Sequence, residues 1–166
     1  MKPFITFFIL ILFFCSVSGQ QNKESNKTHY IGELYGGGIV YYLYQDSDKN
    51  YSIVHDLGGY DEISLTNSVK IVSNHSEVLF SAEDLGLKNN TQEAIFGGNT
   101  VAEASKIFET IISGNGTEAQ NNVVCTNAGL AIATAKKIAH KDGYELAKEA
   151  LYSGKANECL TKLIAL

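Results

Sequence analysis

From Ile53 to Phe80 the apolar residues come in runs too short for helices, divided by turn formers. Ile53, Val54, His55 and Asp56 predict a strand that breaks at Gly58 and Gly59, with a second β-prone run beginning after Asp61 and Glu62. Val69–Ser73 and Glu77–Phe80 predict a hairpin around Asn74, with His75 in its turn. At Thr100 the period lengthens. Val101, Ala104, Ile107, Phe108, Ile111 and Ile112 recur at helical spacing, behind the capping-box pair Thr100 and Glu103 and ahead of Gly114, so one face of a helix must be buried. Thr117 and Gln120 repeat the start signal for a longer helix through Val123, Val124, Ala128, Leu130, Ala131, Ile132, Ala135 and Ile138, whose small apolar surface suits a central position. Asp142 and Glu145 predict the cap of a third helix with Leu146, Ala147, Ala150 and Leu151, ended by Gly154, and Leu160, Leu163 and Ile164 mark a short last one. The expected helices are about 101-113, 118-139, 143-153 and 156-164, and short strands followed by helices make the class α/β.

The first forty residues follow other rules. Lys2, the apolar run Phe4 to Phe14 and the small residues Ser16 to Gly19 have the order of a secretory signal, 1-19, so export is expected. Gln20 to His29 is polar throughout and reads as a linker. In Tyr30 to Val40 the glycines Gly36, Gly37 and Gly38 lack the Lys-Ser/Thr ending of a P-loop and the spacing of a dinucleotide fingerprint. This glycine-rich stretch is similar to the opening of a β-rich module of exported bacterial proteins. The division is therefore 1-19 signal, 20-40 linker and glycine-rich segment, and 41-166 folded domain, with a seam near Val40.

Composition narrows the function classes. With 45% hydrophobic and 19% charged residues the chain is ordinary for a globular protein. A net charge of -5 without a basic run gives no footprint for nucleic acid. Beyond the signal, Cys125 and Cys159 fall inside helical patterns, where a reduced, buried packing thiol is the default.

Candidate chemistry is concentrated between Ile53 and Thr66. Asp61 and Glu62 stand as adjacent carboxylates in a loop after paired glycines, exposed and free to turn toward one charge. Magnesium on a polyphosphate suits such a pair, because Mg²⁺ usually takes one or two protein carboxylates and fills its other positions with water and phosphate oxygens. An exposed acidic turn is the competing reading.

HDLGGYDEISLT, EDLGLK, IFGGNTVAEASKIF, IISGNGTEAQNNVV and ELAKEALYSGKANECLTKL together resemble the anthranilate phosphoribosyltransferase family over roughly Tyr41 to Leu166. The resemblance implies a fragment of a sheet-plus-helices phosphoribosyltransferase domain with a helical C-terminal half. It also implies the glycosyltransferase reaction of tryptophan biosynthesis, in which anthranilate attacks phosphoribosyl pyrophosphate and pyrophosphate leaves. Asp61 and Glu62 match the family's magnesium ligands residue by residue, so Mg²⁺ is the implied cofactor. Family members usually carry Asp before the glycine that matches Gly59, where this chain has Gly58. The family's glycine-rich phosphoribosyl-pyrophosphate motif, its lysine-histidine-glycine-asparagine segment and most anthranilate contacts belong to the part that would precede Tyr41.

The resemblance therefore implies a truncated transferase, inactive alone, whose Ile53, Val54 and long helix would expose apolar surface and favour oligomerisation or a complementing N-terminal half. The alternative is an exported interaction module without catalysis. Compartment divides them, because the family works in the cytoplasm and the first segment signals export.

Overall fold

The computed structural model describes residues 30–33 and 48–166. The linker 20–29 and the seam near Val40 lie outside the described residues. Strands β1 (Tyr30–Glu33), β2 (Tyr51–Asp56), β3 (Val69–Ser73) and β4 (Glu77–Phe80) form one sheet in the order β1-β2-β3-β4. The expected hairpin is β3 and β4, antiparallel with Val69 opposite Phe80 and Ile71 opposite Val78. His75 is exposed in its turn. β2 pairs antiparallel with β3 and parallel with β1, which places it inside the sheet.

Four helices follow: α1 (Val101–Ile112), α2 (Glu118–Lys136), α3 (His140–Tyr152) and α4 (Lys155–Ile164). Both expected capping boxes form, Thr100 with Glu103 and Thr117 with Gln120, each satisfying backbone N–H groups that a helix start leaves open. α2 is the central helix. Its Val123 and Leu130 pack with Val54, Val69, Ile71 and Phe80 of the sheet, while Val124, Cys125, Ala128 and Ile132 pack with Ile112, Tyr144 and Leu151 of the other helices. Gly129 of α2 meets α3 with almost no space between backbones: a Cβ there would lie 2.6 Å from the Tyr144 Cα, and one on Gly143 would strike the Gly129 carbonyl oxygen.

Several sequence expectations are corrected. α2 stops at Lys136, because Lys137 takes a left-handed conformation (φ 58°) and Ile138 N–H turns back to the Ala133 carbonyl, 3.2 Å away. α3 starts at His140 rather than after Asp142, which sits in its first turn. His140 is tied to α2 through its ring, and the Gly129–Gly143 contact seats the same turn, so tertiary contact sets this helix start. Val101 on the α1 apolar pattern is 74% exposed. Ile53 and Val54 are buried rather than exposed: Val54 faces α2, and Ile53 joins Tyr51 and Val72 in a small cluster on the other face of the sheet. Cys125 is a free buried thiol as expected, but Cys159 is only half-buried.

Candidate metal centre

The residues between β2 and β3 form a closed loop, not the strand, loop and strand that the apolar pattern of Ile63 to Thr66 suggests. Leu65 ends any extended run, since its backbone is left-handed (φ 58°), a conformation costly for a residue with a Cβ. Its side chain is buried at 1% exposure, and Asn90 N–H donates to its carbonyl at 2.7 Å. Core packing and that hydrogen bond offset the strain.

At the other end the chain leaves β2 through a tight turn, in which Gly59 N–H donates to the Asp56 carbonyl at 3.0 Å and Gly59 takes φ 80°. Asp56 then closes the loop with its side chain. Its Oδ1 accepts from Gly58 N–H at 2.7 Å, and its Oδ2 accepts from Ser64 N–H at 3.1 Å and from the Ser64 hydroxyl. The Ser64 hydroxyl also meets Thr66 Oγ1 at 2.8 Å. A third anchor comes from α2: Asn127 Oδ1 accepts from Ile63 N–H at 2.9 Å, while Asn127 Nδ2 donates to the Ile63 carbonyl at 2.8 Å.

Asp61 and Glu62 lie between these anchors, and they differ in environment. Asp61 is exposed as expected, whereas Glu62 is only 4% exposed. The anchoring of Ile63 to α2 draws the adjoining residue inward, which corrects the picture of two exposed carboxylates. Burial, and then the charges of Asp56, Glu62 and Glu93, raise the Tyr60 phenol above its ordinary value. The loop is therefore electronegative around Tyr60.

Of the pair, Asp61 reaches solvent and Glu62 lies buried beside it. Among the described residues no three His, Cys, Asp or Glu side chains gather as a metal cage. Two adjacent carboxylates on a hydrogen-bonded loop match the one or two that Mg²⁺ takes when water and phosphate oxygens supply the rest.

The sequence names Asp61 and Glu62 as the candidate pair, and the residues that hold their loop were missed. Asp56 reads as a strand end, and Asn127 lies off the apolar pattern by which the long helix is read. Asn127 carried a signal all the same, as an amide inside the most buried helix. A separate cleft of about 410 Å³ opens between the sheet and the end of α2, lined by Ser52, Phe80, Leu130, Thr134, Lys137 and His140 among others. The carboxylate loop takes no part in it.

A sheet covered by a central buried helix, with a carboxylate loop after its second strand, makes this an α/β domain. The family model described as "Glycosyl transferase family, a/b domain" matches residues 43–157, and the chain belongs to that family. The anthranilate phosphoribosyltransferase of Flavobacterium johnsoniae is 52% identical over 122 residues, covering 74% of this chain and 37% of that protein. That of Cytophaga hutchinsonii is 41% identical over 135 residues, covering 81% of this chain and 40% of that protein. This chain thus spans well under half the length of these curated relatives. Among solved structures, anthranilate phosphoribosyltransferase from Thermus thermophilus superposes with a TM-score of 0.63 at 28% identity, covering 70% of this chain and 35% of that one. Anthranilate phosphoribosyltransferase from Saccharomyces cerevisiae in complex with PRPP and Mg superposes with a TM-score of 0.60 at 19% identity, covering 69% of this chain and 33% of that one, a likeness of fold.

Proposed function

We propose that this chain carries the metal and pyrophosphate side of a phosphoribosyl-transfer site, with Asp61 and Glu62 as its magnesium pair, and that transfer to anthranilate needs the rest of the site from another segment. The observation that carries the reading is the anchored loop: the pair stands between Asp56 and Ser64, and Asn127 grips the next residue. Such anchoring fixes the backbone that carries both carboxylates before a ligand arrives, which lowers the cost of assembling the site. Magnesium, when bound, supplies positive charge against the negative charge that gathers on departing pyrophosphate. Asp61 offers its oxygens at the surface, and buried Glu62 adds charge from within the loop.

Support for the substrates comes from the relatives, which are anthranilate phosphoribosyltransferases, and from the Saccharomyces cerevisiae protein in complex with PRPP and Mg. The interaction-module reading has no observation of comparable weight. The order of charge, apolar run and small residues from Met1 to Gly19 supports export, so exported protein is expected to begin near Gln20 by intact mass. Full-length chain recovered in the soluble cytoplasm would refute export. No helix among the described residues is long and apolar enough to cross a membrane.

Anthranilate fluorescence followed with phosphoribosyl pyrophosphate and magnesium tests the function. The chain alone should match the no-enzyme rate. Adding, as a separate chain, the remainder of the Flavobacterium johnsoniae relative outside its 122 matched residues should restore transfer, and Asp61→Asn should remove it again. Transfer by the chain alone, or restored transfer that survives both Asp61→Asn and Glu62→Gln, overturns the reading.

A further inference from the structure

Asp56 is a carboxylate with 0% exposure, and burial of that kind is sustained only by hydrogen bonds to the charged group. Its donors are not scattered. Gly58 N–H lies just before the acidic pair and Ser64 N–H and Oγ–H just after it, so one side chain ties together both ends of the segment that carries Asp61 and Glu62.

Gly58 gives this arrangement a second, independent feature. A Cβ built on Gly58 would lie 3.0 Å from Asp56 Oδ1 and would strike Asn67 Nδ2. A side chain leaving position 58 would thus enter the space already filled by the Asp56 carboxylate and the Asn67 amide. A carboxylate from two residues earlier thus stands where a side chain at position 58 would project.

We propose that Asp56 is the positioning residue of the carboxylate loop, its carboxylate occupying from position 56 the space into which an acidic side chain at position 58 would reach. The consequence for metal affinity rests on the reading of Asp61 and Glu62 as the magnesium pair; the fixing of the loop does not.

The full chain is tested in two ways, by amide hydrogen exchange without metal and by Mn²⁺ titration followed by electron paramagnetic resonance. Asp56→Asn keeps the shape but sets an NH2 among N–H and O–H donors. It should speed exchange at Gly58 and Ser64 about tenfold or more while the α2 amides stay protected, and weaken Mn²⁺ binding about 10- to 100-fold, the usual range for a residue that orients a metal ligand. Moving the carboxylate to position 58, with Asp56→Gly, Gly58→Asp and Asn67→Ala combined, should recover both readouts, because Asn67→Ala clears the space. If Asp56→Asn does not fold, Ser64→Ala removes a single donor and should still speed exchange at Gly58 and Ile63.

Unchanged loop exchange in Asp56→Asn or, where that variant does not fold, in Ser64→Ala overturns the proposal. So does a triple variant that keeps α2 protection but leaves the loop unprotected. If the unaltered chain binds no Mn²⁺, the magnesium reading fails by itself, and Asp56 is judged on exchange alone.

Discussion

Asn127 holds Ile63 by both sides of its backbone, accepting from its N–H at 2.9 Å and donating to its carbonyl at 2.8 Å, so a residue of the central helix fixes the chain immediately after the acidic pair. The contact spans 64 residues of sequence and is buried. It joins the loop to the most deeply packed element of the fold, and through it the position of Glu62 depends on the seating of α2.

Asn127→Leu leaves the Ile63 N–H and carbonyl without partners in a region closed to water. The expected loss is about 2–4 kcal/mol, the cost of stranding two buried polar groups. Urea unfolding followed by circular dichroism checks it, and a loss under about 0.5 kcal/mol would show that the clamp contributes little.

The α2–α3 crossing makes a second prediction. Gly129→Ala sets a methyl group 2.6 Å from the Tyr144 Cα, against backbone that cannot rotate away, so the helices must separate. A loss of about 1–3 kcal/mol or more is expected, the usual cost of overpacking. Gly97→Ala is the control, since nothing lies within 4 Å of its Cβ and its φ is not left-handed. Its change should stay within about 0.5 kcal/mol.

Local signals in the sequence carried the elements well where the physics is local. The strand boundaries of the hairpin and the two capping boxes follow from alternation and from short-range side-chain to backbone bonding, and the structure has them in place. The errors occur where distant residues decide. Ile63 to Leu65 have strand composition, but Asp56, Asn127 and Asn90 hold them in a turn that only the assembled fold can impose. The start of α3 moved for the same reason, through His140 and the Gly129–Gly143 approach. In the candidate site, Asp61 and Glu62 stand out in sequence only because their neighbours resemble a known motif. Asp56 does not, because its role depends on which way a strand-end side chain turns.

Burial gives Cys125 a definite chemistry. Removal from water pushes its thiol up to about 12, with nearby Lys148 opposing the shift. At a pH of about 8 the folded chain should therefore resist iodoacetamide at Cys125, with labelling rising at least tenfold in denaturant. Peptide mass mapping reads the site directly, and equal labelling in both states would place the thiol at the surface.

His140 predicts how stability responds to acid. Its ring lies 4.7 Å from that of Phe80, its Nε2 is 2.9 Å from the Thr126 carbonyl oxygen, and burial lowers its proton affinity below the ordinary imidazole value, against weaker opposing effects from Thr126 and Asp84. The unfolded chain takes up the proton at the ordinary value, while the folded chain takes it up only at lower pH. Between the two the unfolded state holds more protons, so stability rises with pH across that window and falls as pH drops through it. Above the ordinary value neither state is protonated there, and His140 contributes no slope. His140→Gln keeps a donor for the Thr126 carbonyl but does not titrate, so its urea midpoint should fall less than that of the unaltered chain between about pH 7 and about pH 5. Equal declines in the two proteins would assign the acid sensitivity to other groups and remove His140 as its source.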